Sequence, residues 1–216
     1  LAMNSIIPPE IEDYCEAHTT PERELLYRLN RATHVRVLRP RMLSGPLQGA
    51  LLSMLSGMIQ PEHILEIGTF TGYATLCLAD GLPDGGTLDT IEINEELEEM
   101  ILQYIGESPR QAQITLHIGD ALKIIPTLTK SWDLIFLDAE KQDYIKYYQL
   151  LLPQLRKGGI MLVDNVLWSG KVIDKTEEND PDTEAIIAFN DYVQADSRVK
   201  NLILPLRDGL MMVEKI

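Results

Sequence analysis

The stretch HILEIGTFTGYATLCLADGL, residues 63–82, joins a short apolar run to a helical pattern through a turn that contains Gly68 and Gly72. The two glycines allow a sharp change of direction from strand to helix and a close approach of backbone N–H groups to a ligand. The stretch therefore predicts a strand, a turn and a helix. Four more apolar runs alternate with helical patterns further along the chain: TLDTIEI, ITLHIGD, WDLIFLD and GIMLVDN.

This alternation is typical of β-α-β units and predicts a mainly parallel sheet covered on both faces. The final runs, NLILPL and LMMVEK, are separated by Arg207, Asp208 and Gly209, which predicts a hairpin. We therefore predict a Rossmann-like, doubly wound α/β sheet of seven strands, mainly parallel, with an antiparallel last strand and an antiparallel edge formed by this hairpin.

The first 60 residues have helical patterns instead of strands. Thr20 is a candidate N-cap with Pro21 at the first helical position, and a second helix is predicted from Ser44. We predict one domain over residues 1–216, with a helical extension at 1–60 and a Rossmann-like core at 61–216. Residues 174–184 are acidic and precede a predicted helix, AIIAFNDYV, so they form either a solvated loop or a mobile lid.

The composition of the chain limits its function. With 19 Lys and Arg against 33 Asp and Glu, the net charge is −14 and the pI about 4.6. This balance disfavours a nucleic-acid partner and suits a cationic ligand or a metal. Cys15 and Cys77 form no C-x-x-C pair, and we recognise no secretory leader or membrane span. The expected location is the cytoplasm.

Acidic residues stand at or just past the C-terminal ends of all five predicted parallel strands. In an open α/β sheet this edge is where ligands bind. Any one of these acids can be a helix N-cap, but glutamate caps poorly and five caps in succession are improbable. The series predicts a ligand site formed by Glu66, Glu92, Asp120, Asp138 and Asp164.

The first of these acids indicates what the ligand is. The glycines of LEIGTFTGYA are spaced Gly, three residues, Gly, so the dinucleotide fingerprint is absent, and Glu66 would repel a pyrophosphate. An acid before such a turn suits a ligand with an amino group and a cationic centre, such as S-adenosylmethionine.

Glu92 lies 24 residues past Gly68, where an acid can accept both hydroxyls of a ribose. Asp120 and Ala121 would lie beside an adenine, and Asp120 would equally cap the next helix.

The last two strand ends provide hard oxygen ligands. Asp138, Asp164 and Asn165 suit Mg²⁺, Mn²⁺ or Ca²⁺ better than Zn²⁺. Within a regular strand Asp164 and Asn165 would point to opposite faces, so both can reach one ion only if the strand ends there. Alternatively, Asp138 caps the next helix and the Asp-Asn pair forms a turn.

These residues and their order resemble the cation-dependent class I S-adenosylmethionine O-methyltransferases, which include the catechol and caffeoyl-CoA O-methyltransferases, and in particular their bacterial members. The resemblance runs through PRMLSGPLQG, LEIGTFTGYA, IEIN, GDAL, FLDAEKQDY, DNVLWSG and LPLRDGL, and so covers nearly the whole chain. It implies the class I methyltransferase fold and homodimerisation.

The resemblance also implies roles for individual residues. Asp138, Asp164 and Asn165 match the ligands of a divalent cation, usually Mg²⁺, and Lys141 is similar to the family's general base. A cation near Lys141 would lower the pKa of its amine, as a base requires. Ala74 departs from the serine of many relatives and leaves one contact to the methionine carboxylate in question. The positions that match donor-binding residues are Met42, Ser44, Glu66, Gly68, Tyr73, Ala74, Glu92, Asp120, Ala121 and Asp138.

We therefore expect a metal- and S-adenosylmethionine-dependent O-methyltransferase that acts on a small catechol, vicinal diol or hydroxycinnamoyl-type acceptor. One alternative is methylation of a hydroxylated uridine in tRNA, for which Arg36, Arg39 and Arg41 would supply a local basic patch. Another is a nucleotide-binding module without catalysis, which would not need the metal ligands or Lys141.

Overall fold

A computed structural model describes residues 6–173 and 180–216. Helices and strands alternate over most of this length. The helices are α1 Pro9–Ala17, α2 Glu24–Arg36, α3 Gly45–Ile59, α4 Tyr73–Leu78, α5 Glu98–Gly106, α6 Ala121–Ile124, α7 Tyr144–Leu151 and α8 Pro181–Gln194. The strands are β1 His63–Ile67, β2 Thr87–Glu92, β3 Ile114–Ile118, β4 Trp132–Leu137, β5 Leu155–Asp164, β6 Val199–Leu204 and β7 Leu210–Lys215.

The seven strands form one sheet in the order β3-β2-β1-β4-β5-β7-β6. The pairs β1–β2, β2–β3 and β4–β5 are parallel, whereas β7 runs antiparallel to both β5 and β6. The predicted α/β class and the antiparallel last strand are therefore confirmed. Strand β7 lies between β5 and β6, so the predicted hairpin forms an antiparallel edge in which β6 is the outermost strand.

The chain divides into two compact units. We call Asp13–Thr129 the first unit, and Leu1–Glu12 with Lys130–Ile216 the second unit. The prediction of one domain with a boundary near residue 60 stays a prediction. The first unit contains β1 to β3 and the second contains β4 to β7.

In the first unit α3 packs closely against α4 and the turn that follows it. A Cβ added to Gly49 would lie 2.7 Å from Tyr73 Cε1, and one added to Gly81 would lie 2.1 Å from the backbone carbon of Ser56. Glycine at position 49 therefore makes room for the Tyr73 ring, and glycine at position 81 permits direct approach of two backbone segments. The opposite side of α3 leaves Met54 and Met58 exposed.

In the second unit an aromatic cluster joins α7 to α8. The ring of Phe189 meets the rings of Tyr144 and Tyr148 edge to face, with centroids 5.3 and 6.1 Å apart. Tyr144, Tyr148 and Phe189 are all fully buried. Edge-to-face pairs of this kind stabilise packing beyond the area that they bury.

Thr20 is not the N-cap that we predicted. Helix α2 begins at Glu24, and the preceding residue, Arg23, is extended with φ −69° and ψ 158°. The Arg23 guanidinium binds the carboxylate of Asp80 at 2.7 Å and the carbonyl oxygen of Leu76 at 2.8 Å. These contacts with distant residues hold the chain extended where its local sequence favours a helix. The prediction of two helices before β1 also missed α1.

The acidic stretch 174–184 is described only in part, since residues 174–179 lie outside the described ranges. Its end is helical, because α8 begins at Pro181. Asp180 caps this helix by accepting the backbone N–H of Thr183 at 3.2 Å. The prediction of a loop is therefore wrong for residues 181–184, and that of a lid stays a prediction.

Residues Pro40–Ile59 are long and apolar enough to cross a bilayer by length and composition alone. Core helices of soluble proteins pass the same test, and 39% of this stretch is buried within the protein. The prediction of no membrane span stays a prediction.

Candidate functional site

The turn after β1 has a backbone that few residues tolerate. Gly68 and Gly72 have φ values of 95° and 92°, and Phe70 between them has φ 52°. The N–H of Gly68 donates to the carbonyl oxygen of Ile91 at 3.0 Å, which ties the turn to the end of β2. The predicted sharp turn is therefore present, with its glycines where positive φ requires them.

The Glu66 side chain lies beneath this turn and is fully buried. Its Oε2 accepts a hydrogen bond from Thr90 Oγ1 at 2.6 Å and another from Thr75 Oγ1. The carboxylate thus connects β1, β2 and α4. One of its oxygens consequently has a structural role.

The Glu92 carboxylate binds backbone N–H groups of the turns that follow β1 and β2. Its Oε2 accepts the backbone N–H of Phe70 at 2.7 Å, and its Oε1 accepts that of Asn94 at 2.9 Å. A carboxylate oxygen has more than one acceptor site, so hydroxyl groups of a ligand can still bind. The Glu92 carbonyl oxygen also accepts the N–H of Gly119 at 2.8 Å, which brings the chain before Asp120 to the same place.

Asp120 is the N-cap of α6, since its Oδ1 accepts the N–H of Leu122 at 3.0 Å. The capping interpretation is confirmed and leaves an adenine contact possible. Ala121 and Ala74 are buried, as is Ser44 directly before α3, whereas Met42 is exposed. Tyr73 is also buried, and its hydroxyl donates to Glu22 Oε2 at 2.7 Å, so the phenol has a partner within the protein.

In the second unit the Lys141 ammonium binds oxygen atoms from the end of β4, the start of α7 and the end of β5. Its side chain is buried, with 9% of the residue exposed. Its Nζ donates to Asp138 Oδ1 at 2.8 Å, to Asn165 Oδ1 at 2.7 Å and to Tyr144 Oη at 2.7 Å. All three N–H bonds of the ammonium therefore have acceptors. Lys141 is not the solvated surface lysine that burial statistics would favour.

Strand β5 ends at Asp164, as two consecutive ligands require. Asn165 has φ 62°, outside the range of a strand. Its N–H donates to Asp164 Oδ1 at 2.8 Å, while the Tyr144 hydroxyl donates to the Asp164 carbonyl oxygen at 2.9 Å. The alternative in which Asp138 caps the next helix is wrong, because the first helical turn after β4 begins at Lys141 and the residue before it is Glu140.

The electrostatics of Lys141 differ from the expectation. Burial lowers the pKa of its ammonium, but the Asp138 carboxylate and the Tyr144 phenol raise it more, so the net direction is upward. Burial likewise raises the pKa of the Tyr144 phenol. The lowering that we predicted depends on a bound cation, whose charge would oppose that of the ammonium.

The oxygen atoms of Asp138, Asp164 and Asn165 suit a hard cation as ligands. Asp138 and Asn165 already direct one oxygen each at the same positive charge, the Lys141 ammonium. Two carboxylates and one amide oxygen match the preference of Mg²⁺ and its relatives. Within residues 6–173 and 180–216 there is no cluster of three or more His, Cys, Asp or Glu side chains that could hold a metal. The predicted set, with only two carboxylates, is consistent with that finding.

Two residues near Lys141 were not assigned by sequence reasoning. The Trp168 ring centroid lies 5.9 Å from Lys141 Nζ. Asp208 is buried and contacts the backbone beside Trp168. Its sequence context, Arg-Asp-Gly, reads as an ordinary turn, so no local signal distinguishes this aspartate.

The chain is similar to several known proteins. Residues 16–216 match a family model described as O-methyltransferase. A probable caffeoyl-CoA O-methyltransferase 2 of Dictyostelium discoideum is 32% identical over 218 residues, which cover 99% of this chain and 92% of that protein. The caffeoyl-CoA O-methyltransferase of Stellaria longipes is 30% identical over 90% of this chain and 85% of its own length. The crystal structure of TomG, an O-methyltransferase of Streptomyces achromogenes in complex with SAM, superposes with a TM-score of 0.86 at 29% identity, over 95% of this chain and 96% of TomG.

Proposed function

Because the chain belongs to the O-methyltransferase family, we propose that it transfers the methyl group of S-adenosylmethionine to a hydroxyl of a small catechol or phenolic acceptor, with the help of a divalent cation. The observation that carries this proposal is the buried Lys141, whose ammonium is bound by oxygens of Asp138 and Asn165. A cation bound by the same oxygens would oppose the charge of this ammonium and favour the neutral amine that can deprotonate a hydroxyl.

We assign binding of the methyl donor to the residues around the turn after β1. Glu92 is fixed by two backbone N–H groups and would accept the ribose hydroxyls. Asp120 and Ala121 would lie beside the adenine, and the turn from Gly68 would approach the methionine part. Met42, Ser44, Tyr73 and Ala74 complete the assignment by their match to the family pattern. The SAM complex of TomG supports this donor.

We assign the cation, most simply Mg²⁺ with Mn²⁺ or Ca²⁺ as alternatives, to Asp138, Asp164 and Asn165. A cation there would lower the pKa of an acceptor hydroxyl and stabilise the resulting oxyanion.

With the cation bound, its charge would favour loss of the Lys141 proton to solvent, and the neutral Nζ would then accept the proton of that hydroxyl. The acceptor oxygen attacks the methyl carbon, the carbon–sulfur bond breaks, and the electron pair stays on sulfur as S-adenosylhomocysteine forms. The protein contributes by holding Lys141 in place through Tyr144, and by holding donor and acceptor aligned. Trp168, whose ring lies close to Lys141, offers an aromatic surface for a planar acceptor.

Labelled S-adenosylmethionine and a panel of catechols, caffeoyl thioesters and other phenols, with and without EDTA, test the proposal. We expect transfer that stops in EDTA and returns with Mg²⁺, and that collapses in Asp138→Ala. Full activity in EDTA would remove the cation from the proposal. Donor binding without transfer to any hydroxyl, in a protein whose Lys141 can be replaced without effect, would favour a binding module.

A tRNA acceptor is the second candidate, because Arg36, Arg39 and Arg41 are exposed within six residues of an otherwise acidic chain. Bulk tRNA from a strain that lacks the gene is the direct substrate for this test. Methylation of that tRNA, together with inactivity toward phenols, would replace the small acceptor.

A homodimer in the cytoplasm belongs to the same proposal. Exposed apolar side chains on α2 and α3 supply a surface for a second copy, among them Tyr27, Val35, Met54 and Met58. Light scattering should give twice the chain mass of 24.4 kDa, and a mass of one chain at micromolar concentration would contradict the dimer. Cys15 and Cys77 are free thiols, which suits a reducing compartment.

A further inference from the structure

Asp208 is a buried carboxylate that the proposed mechanism does not use. It lies in the turn between β6 and β7, and 7% of the residue is exposed. Its Oδ1 accepts the backbone N–H of Ser169. Its Oδ2 is buried and has no hydrogen-bond partner among residues 6–173 and 180–216. A carboxylate is costly to bury, so its presence needs a compensating role.

The backbone that Asp208 contacts is strained. Trp168 and Ser169 are consecutive, and both have left-handed φ values, 46° and 56°. Residues with a Cβ rarely adopt this conformation, and they keep it only where their surroundings enforce it. The N–H that Asp208 binds belongs to the second of these residues, so the carboxylate is placed to hold the turn in its unfavourable conformation.

The rest of the β6–β7 turn is fixed against the same segment. Leu167 N–H donates to the Asp208 carbonyl oxygen at 2.9 Å, and Val166 N–H donates to that of Gly209 at 3.1 Å. A Cβ added to Gly209 would lie 2.4 Å from Leu167 Cγ. Asp208 is therefore held in place, and its side chain can impose a position on Ser169.

The position of the Trp168 ring depends on this turn. Trp168 directly precedes Ser169, and its ring centroid lies 5.9 Å from Lys141 Nζ. A cation at this distance from an indole is attracted to the ring. An aromatic surface beside the Lys141 amine is suited to contact the ring of a phenolic acceptor.

We propose that Asp208 is a positioning residue for the acceptor, which acts by fixing the Trp168–Ser169 turn and thereby holds the Trp168 indole beside Lys141. The role in acceptor binding rests on the proposed function, whereas the effect on Trp168 does not. Burial raises the pKa of the Asp208 carboxyl, opposed by the Ser169 N–H and the Lys141 charge.

The substrate-free protein gives the first test. Its two tryptophans, Trp132 and Trp168, give two indole N–H cross-peaks in a proton–nitrogen NMR spectrum, and Trp168→Phe assigns them. We expect Asp208→Ala to shift or broaden the Trp168 cross-peak and to leave that of Trp132 unchanged. Asp208→Asn keeps an acceptor oxygen and should preserve both. Asp196→Ala is the matched control, since it removes another carboxylate that accepts a backbone N–H in a turn.

Kinetics give the second test. Asp208→Ala should raise the KM for a catechol about three- to tenfold, the size of one lost aromatic contact, with a smaller change in kcat. Trp168→Ala should do the same, and the double variant should be no worse than Trp168→Ala, because Asp208 acts through Trp168. Donor affinity by calorimetry should stay as in the wild type.

An unchanged Trp168 cross-peak in Asp208→Ala would overturn the proposal, as would additive effects in the double variant. If Asp208→Ala does not fold, the test uses Asp208→Asn and Trp168→Ala instead. Loss of the Trp168 cross-peak in Asp208→Asn would also contradict the proposal. If no phenol is methylated at all, the proposed function fails, and the NMR result still decides whether Asp208 positions Trp168.

Discussion

The side chains of Lys141 and Asn165 are joined by a hydrogen bond of 2.7 Å between Nζ and Oδ1, although the residues are 24 positions apart. Lys141 follows β4 and Asn165 follows β5, and these strands are parallel neighbours. Parallel strands end at the same edge of a sheet, so the two residues meet there. This contact joins the proposed base to a proposed cation ligand.

Removal of the Lys141 amine should abolish the chemistry and spare donor binding. We expect Lys141→Met to lower kcat by about 10²- to 10⁴-fold, the usual contribution of general acid–base catalysis. Calorimetry with S-adenosylhomocysteine should give an unchanged Kd. Lys146→Met, which removes an exposed lysine paired with Asp143 three residues earlier, is the control. A loss below threefold would mean that Lys141 is not the base.

The amide of Asn165 should contribute to cation binding. Asn165→Gly removes the amide oxygen but retains the positive φ of 62° without strain. Mn²⁺ binding, followed by electron paramagnetic resonance without any substrate, should weaken about tenfold or more. Asn201→Gly, on β6, should bind Mn²⁺ as the wild type does. Equal affinity in Asn165→Gly would exclude Asn165 as a ligand.

The hydroxyl of Tyr144 should position Lys141. It donates its only proton to the Asp164 carbonyl oxygen and so presents a lone pair to the lysine. Tyr144→Phe keeps the ring contact with Phe189 and should lower kcat about tenfold, as one lost hydrogen bond to a charged group would. Tyr148→Phe is matched, because it removes a hydroxyl on the same helix that bonds Asp196. Equal rates for the two variants would refute this role.

Glu92 should be required for donor affinity. Glu92→Gln replaces one carboxylate oxygen by an NH₂ group, which cannot accept a hydrogen bond. Either the Phe70 N–H or the Asn94 N–H therefore loses its acceptor. The Kd for S-adenosylhomocysteine should rise about 10- to 100-fold. Glu95→Gln changes an exposed acid on the following turn and should have no effect. A normal Kd for Glu92→Gln would remove Glu92 from the donor site.

The cap of α8 should give a pH-dependent contribution to stability. The Lys171 side chain, followed by the Thr183 N–H, lowers the pKa of Asp180 from 3.8 to about 2. A carboxyl with a lowered pKa in the folded state stabilises the fold above its unfolded pKa, and this contribution is lost as the pH falls toward 2.

Asp180→Ala should therefore lower the free energy of unfolding by about 0.5–2 kcal/mol near pH 7, with a smaller difference from the wild type near pH 3. Urea unfolding at both pH values measures it. Asp180→Asn keeps a capping oxygen, so it should lose less stability at neutral pH than Asp180→Ala. A difference that does not change with pH would assign the effect to helix propensity alone.

The local sequence was sufficient for the α/β class, for most strands, and for the carboxylates at their ends. Short apolar runs and glycine turns are local properties, and parallel strands that follow from them all end at the same edge of the sheet. Errors arose where distant contacts prevailed. The extended conformation of Arg23 depends on its contacts with Asp80 and Leu76, which are far away in sequence.

Sequence by itself determined which residue types follow the C-terminal ends of the parallel strands, among them Asp138, Lys141 and Asn165, because strand and turn signals fix where each strand ends. Only the tertiary structure decided that Lys141 is buried with three oxygen partners and that Asp208 binds the N–H of Ser169, 39 residues away. Burial and the pairing of charges are properties of the packed chain. Because they depend on which segments meet, a local pattern cannot specify them.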